Sequence, residues 1–319
     1  MGLLVDGQWH DEWYDTASTG GEYIRQDSQF RHRIGEPGFE AEAGRYHLFV
    51  SLACPWAHRT LIFRKLKGLE HIIGVTIVDA RMLEHGWVFS AVSEDNPIEG
   101  IDYLHQVYTA AEAHYTGRVT VPVLWDKQRR TIVNNESAEI IRIFNSAFNE
   151  LVEEGSDYYP LQLRAAIDEL NQLVYDNINN GVYRAGFATS QQAYEAALHR
   201  LFDALDVIEQ RLGQQRYLLG EHITEADWRL FTTLIRFDAV YYSHFKTNLK
   251  RIEDYPNLSN YVRELYQIEG IADTVNFDQI KTHYYFSQTT INPTQVVPVG
   301  PVLDYTGPHN RDRFQEGAS

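Results

Sequence analysis

The chain has 319 residues, 44% of them hydrophobic, enough for a sizeable core and too long for one ordinary compact unit, so two domains are expected. Lys and Arg number 28 against 44 Asp and Glu, a formal net charge of −16, and no sustained basic stripe tracks a phosphate backbone, which excludes nucleic acid as the expected partner. No run approaches the roughly 18 apolar residues of a membrane span, one cysteine excludes a disulfide scaffold, and the opening residues resemble no export signal, so a soluble protein in a reducing cytoplasm is expected.

Residues 1–45 show no sustained period of 2 or 3.6 and read as an extended arm. Trp9, Trp13, Tyr14, Tyr23 and Phe30 argue that this arm packs on the body, because disordered tails are poor in aromatics. From Tyr46 the pattern predicts a strand over 46–51, a helix over 55–67 closed by Gly68, and a second strand over 72–78 parallel to the first.

Cys54 stands at the turn of this βαβ unit, in Ser51-Leu-Ala-Cys-Pro-Trp-Ala-His-Arg59. Pro55 at the first helical position places the thiol at a helix N-terminus, where N–H groups and the helix dipole favour thiolate. A lone cysteine is more often an inert packing residue, but Pro55, Trp56 and Arg59 mark a helix start beside cationic side chains. With no second cysteine on the chain, any disulfide chemistry must take its other sulfur from solution, which implies a small thiol partner. His58, one turn into the helix, reads as a packing residue and not as a general base.

Residues 79–118 form a long excursion holding Trp87 and one helix near 102–111, and a connection that long points to functional content. Strands follow over 120–125 and 131–134 as a hairpin, then a helix opening at Glu136-Ser137. Pro122 within a strand pattern is either an ordinary edge proline or a cis residue that turns the Val121 backbone toward a ligand; beside the thiol turn, the cis reading is favoured. Glu136 and Ser137 equally fit a plain N-cap pair.

Beyond about residue 155, apolar spacing predicts helices over 160–178, 190–212, 224–245 and 256–268, a helical bundle. Thr224 followed by Asp227 predicts a capped helix start with a structural role. Residues 286–319, with four prolines, read as a tail on the surface or reaching a partner. The histidines show no metal-ligand spacing, so no metal is expected.

The Cys-Pro helix start, the Val-Pro before the third strand, the Glu-Ser opening the next helix and the all-helical second half resemble the glutathione transferase superfamily. More narrowly, the Cys54 turn, Gly86-Trp87, Arg118-Val-Thr-Val-Pro122, Asn135-Glu-Ser137 and Asn292-Pro-Thr294 resemble its Xi class, the glutathionyl-hydroquinone reductases, along nearly the whole chain. The resemblance implies an α/β thioredoxin-like N-terminal domain at 46–150 and an all-α C-terminal helical bundle at 156–285, with the arm (1–45) and tail (286–319) outside them. It implies Cys54 as nucleophile, Trp87, Arg118, Val121, Glu136 and Ser137 as glutathione-binding residues, and Tyr183 with Tyr284 as proton donors to an aromatic substrate. The Asn179-Asn-Gly181 turn signal makes Tyr183 a loop residue, while Tyr285 and His283 are neighbours that compete with Tyr284 for its role.

On that reading glutathione is a co-substrate, no cofactor is bound, and glutathionyl-hydroquinones are reduced to hydroquinones by a protein that forms homodimers. A cysteine at the thiol turn favours this over glutathione conjugation, because it forms a disulfide where a conjugating enzyme leaves the glutathione thiolate free. A broader monothiol transferase acting on dehydroascorbate or protein–glutathione disulfides, and a non-catalytic binding module, are the competing expectations.

Overall fold

A computed structural model describes residues 2–89, 96–152 and 155–314. The chain divides into two compact units: Met1–Trp13, Arg25–Ser156 and Thr274–Ser287 form the first, and Tyr14–Ile24, Asp157–Asp273 and Gln288–Ser319 the second.

The first unit opens with two strands too short to show a period, β1 (Leu3–Val5) and β2 (Gln8–His10). Its core begins at β3 (Tyr46–Val50), buried at every position, followed by α1 (Pro55–Leu66), β4 (Gly74–Ile77) and α2 (Leu104–Ala111). Then come β5 (Gly117–Arg118), β6 (Val123–Asp126), β7 (Thr131–Asn134) and α3 (Ser137–Ser146). The main sheet has the order β4-β3-β6-β7, with β3 parallel to β4 and antiparallel to β6, as the thioredoxin-like expectation requires. β3 is a continuous apolar run because it lies inside the sheet. Gly68 follows α1 at φ 63°, a left-handed conformation that ends the helix at low steric cost.

The arm differs from a featureless extension. β1 pairs with β2 and with β5 in a second, three-stranded sheet, and Leu4 is fully buried there. Further on, His32 N–H donates to Val133 O and Asn135 N–H to Phe30 O, so the arm covers the otherwise open edge of β7.

The second unit is helical: α4 (Arg164–Val174), α5 (Gly181–Gly186), α6 (Gln191–Leu212), α7 (Glu225–Arg236) and α8 (Leu258–Tyr266). Wider helical turns at Tyr175–Asn179 and Phe237–Tyr241 continue α4 and α7, which explains why the apolar spacing runs past the α-helical ends. Phe245 seats directly on Gly186, where an added Cβ would come within 2.2 Å of its ring. The tail is fixed by Arg311, fully buried, whose guanidinium donates to the carbonyls of Leu212, Gln215 and Arg216.

The last helix, α9 (Phe277–Lys281), and the wide turn Thr282–Phe286 belong to the first unit, although the sequence pattern places them with the bundle. His283 Nδ1 lies 3.0 Å from Ala80 O, and Ser287 Oγ accepts from Met82 N–H at 2.9 Å. Apolar spacing reports that a segment is helical, not which core it joins.

Candidate active site

Cys54 occupies the N-cap of α1 with extended backbone (φ −75°, ψ 123°), and Pro55 takes the first helical position. The Cys54 side chain makes no capping hydrogen bond to the helix, and the first turn holds no acidic residue. The thiol is half-buried, and Sγ lies 3.7 Å from Val121 O, to which the S–H donates. The chain turns sharply because Ala53 N–H donates to Ser51 Oγ and Cys54 N–H to Ser51 O, while Cys54 O accepts the first helical bond, from His58 N–H. His58 itself is fully buried with Nε2 2.8 Å from Thr274 Oγ1, in keeping with a packing role.

The Val121–Pro122 peptide is cis, and β6 starts immediately after it, so Pro122 interrupts no ladder bond. Tyr108 OH donates to Thr120 O and accepts from Thr120 N–H, which holds the approach to this segment. Thus two of the residues singled out in sequence, Cys54 and Val121, are brought into direct contact.

Glu136 is the N-cap of α3, its carboxylate accepting from Ala138 N–H at 3.1 Å and from Ser28 Oγ at 3.2 Å. Ser137 is the first helical residue, buried, with Oγ 3.5 Å from Glu136 Oε1 and accepting from Arg59 Nη1 at 3.3 Å. Trp87 is buried and stacks on His283, the rings 4.7 Å apart and 20° from parallel. Arg118 holds the arm: its guanidinium donates to Glu12 O and to Trp13 O.

The two tyrosines fall in different units. Tyr284 is almost fully buried in the first unit, edge-on to His283 with centroids 5.3 Å apart. Tyr183 lies in the second unit, in α5 and not in a loop. The Asn-Asn-Gly turn signal fails because Asn179 is buried, its Nδ2 donating to Arg229 O and Thr233 Oγ1, which absorbs the polar side chain inside the helical packing. The Tyr183 ring packs among Tyr23, Phe187, Tyr241 and Phe245.

Sequence reasoning noticed Trp56 and Arg59 only as marks of a helix start, and it missed Arg25. Both guanidinium groups lie over the Trp56 indole, Arg59 at 4.6 Å and Arg25 at 4.4 Å from the ring centroid. The i, i+3 spacing of Trp56 and Arg59 was a readable signal; Arg25, on an aperiodic arm, carried none. A surface cavity of about 520 Å³ lies elsewhere in the first unit, lined by Phe30, Phe39, Glu112 and Arg129 among others and by none of the site residues. Among the described residues no group of three or more His, Cys, Asp or Glu side chains is placed to hold a metal ion, and no helix is long and apolar enough to cross a membrane.

The family model for the glutathione S-transferase N-terminal domain matches residues 53–147, and that for the C-terminal domain residues 191–264. The glutathionyl-hydroquinone reductase YqjG of Escherichia coli is 55% identical over 98% of this chain and 99% of its own. An Xi-class glutathione transferase structure from Natrialba magadii superposes with a TM-score of 0.92 at 46% identity, covering 98% of both chains. The chain belongs to the Xi class of glutathione transferases. The glutathione-bound structure of YqjG superposes on this Xi-class chain with a TM-score of 0.89 at 51% identity, over 98% and 99% of the two chains. The α/β thioredoxin-like domain and helical bundle expected from the sequence are those of this Xi-class fold.

Proposed function

We propose that this Xi-class chain is a glutathionyl-hydroquinone reductase. The observation that carries the reading is the chain's one thiol at the N-cap of α1, 3.7 Å from the Val121 carbonyl. The helix dipole favours the thiolate there, and the same carbonyl is an acceptor for the cysteinyl N–H of glutathione laid along the Val121 backbone. Glutathione arriving in this way takes over the acceptor that the thiol uses in the free protein, leaving Sγ for chemistry.

In the reaction the Cys54 thiolate attacks the glutathionyl sulfur of the substrate. The sulfur–aryl carbon bond breaks, its electron pair stays with the ring, and that carbon takes a proton as the hydroquinone leaves. Cys54 is left as a mixed disulfide with glutathione. A second glutathione thiolate attacks the glutathionyl sulfur, releasing oxidised glutathione and restoring the Cys54 thiolate. Tyr183 and Tyr284 help deliver the one proton that the ring carbon takes, hydrogen-bonding the phenolic oxygen meanwhile, and that proton is regained from solvent. Glu136 accepts from the α-ammonium group of glutathione, Ser137 donates to its α-carboxylate, Trp87 forms an apolar wall, and Arg118 meets the glycyl carboxylate or another anionic group by charge-assisted hydrogen bonds. No resident cofactor enters the cycle, and a reducing cytoplasm suits it.

Mass spectrometry after exposure to oxidised glutathione should find one glutathione on the wild-type protein and none on Cys54→Ala. Full turnover of a glutathionyl-hydroquinone by Cys54→Ala would overturn the reading. Tyr183→Phe separates the reductase from a general monothiol transferase: it should slow the hydroquinone substrate and leave a disulfide substrate unchanged. Sizing in solution tests the homodimer.

A further inference from the structure

Arg59 is a costly residue for its place: one per cent exposed, five positions into α1, where its full charge has left water. Its guanidinium meets both an indole and a hydroxyl. The plane sits over Trp56, which also carries Arg25, and Nη1 donates to Ser137 Oγ. Both helix starts nearby, α1 at Cys54 and α3 at Glu136, present positive dipole ends. These dipole ends attract negative charge, and Glu136 at the α3 cap places one carboxylate there.

The hydrogen bond to Ser137 fixes what that hydroxyl can do. A serine hydroxyl has one proton and two lone pairs, and Arg59 occupies a lone pair, so the proton turns away from Arg59. Its acceptor in the free protein is Glu136 Oε1 at 3.5 Å, at the limit of a useful bond. A ligand carboxylate is a better acceptor, and it gains the charge of Arg59 behind the hydroxyl. Next to it, Glu136 suits an ammonium group. Adjacent residues thus present opposite preferences at the spacing of an α-amino acid zwitterion.

We infer that Arg59 is a positioning residue that acts through Ser137 to select the zwitterionic γ-glutamyl end of glutathione, with the Arg25–Trp56 stack holding its plane. The inference rests on the glutathione reading above. It predicts coupling between Arg59 and Ser137 that a merely structural arginine would not show.

Calorimetric titration with glutathione tests it on Arg59→Lys, Ser137→Ala and the double variant. Each single change should weaken binding about tenfold, and the double variant little more than either, because both remove one donated bond. A glutathione analogue lacking the α-carboxylate should bind the wild type about tenfold less well and lose little further affinity on Arg59→Lys. With the hydroquinone substrate, the KM for glutathione should rise while kcat is largely kept. If Arg59→Lys does not fold, Arg25→Met, on a half-buried side chain, replaces it: a threefold loss that vanishes in the Ser137→Ala background is expected. Multiplying losses in the double variant, or wild-type affinity in Arg59→Lys or in Arg25→Met, would overturn the inference while leaving the reductase reading intact. Failure of the wild type to bind glutathione would overturn both.

Discussion

Two helix starts in this molecule are built to opposite ends. At α7, Thr224 and Asp227 form a reciprocal capping box, and Asp227 also accepts from Leu218 N–H and Tyr261 OH, all in a fully buried setting. At α1, the cap position holds Cys54, whose side chain makes no capping hydrogen bond, and the first turn holds no acidic residue. The first start spends its dipole on its own carboxylates; the second keeps its positive end for a sulfur. The difference teaches that the absence of ordinary capping chemistry, at a position where Pro55 shows the helix is meant to begin, is itself a functional signal.

The sharpest break in this comparison is Cys54→Ser. Turnover of a glutathionyl-hydroquinone should fall by about a thousandfold or more, since no other thiol exists on the chain. Asp227→Ala should do the reverse. It strands several buried donors and costs about 3 kcal/mol of stability in a denaturant titration, while activity per folded molecule persists.

Acid probes the rest of both cores. Burial holds the His47 and His244 imidazoles neutral, lowering each from the ordinary 6.5 to about 4. Both are hydrogen-bonded, His47 to Thr76 Oγ1 and His244 to Gln288 Oε1. Unfolding lets them protonate, so their contribution is complete above pH 6.5 and lost as pH falls toward about 4, a drop that a pH series of melting temperatures should record. His47→Gln and His244→Gln should each flatten that slope in one unit only.

The C-terminal end of α1 gives a smaller effect: Gly68→Ala, at φ 63° in open space, should cost about 1 kcal/mol through backbone strain alone, seen as a modest fall in melting temperature. The smallest expected effect returns to the start of α1. The same Cys54→Ser that removes activity should raise stability by about 0.5 to 1 kcal/mol, because serine caps a helix and cysteine does not. A rise in melting temperature with the loss of turnover would confirm that the site is held at the expense of the helix.

Much of this was legible before any coordinates. The strand–turn–helix at Cys54, the cap at Thr224 and the closing Gly68 are local: each depends on a few consecutive residues whose chemistry allows one backbone solution. The pairing of strands followed because a βαβ unit and a tight hairpin leave little freedom of order. Where reading failed, the cause was non-local. β1, β2 and β5 are two or three residues long and stable only as partners of one another, and Tyr183 became helical because buried Asn179 found its partners 50 and 54 residues away.

The sequence by itself determined the chemistry: one thiol, where it sits on its helix, and the class of protein that carries such a turn. Tertiary structure alone decided which groups surround it: that Val121 O meets Sγ, that Arg118 grips the arm, that Tyr284 joins the first unit, and that Arg25 and Arg59 share one indole. A helix start is fixed by neighbours along the chain, whereas a hydrogen bond or ring contact between residues tens of positions apart exists only after the core has chosen which surfaces to bury.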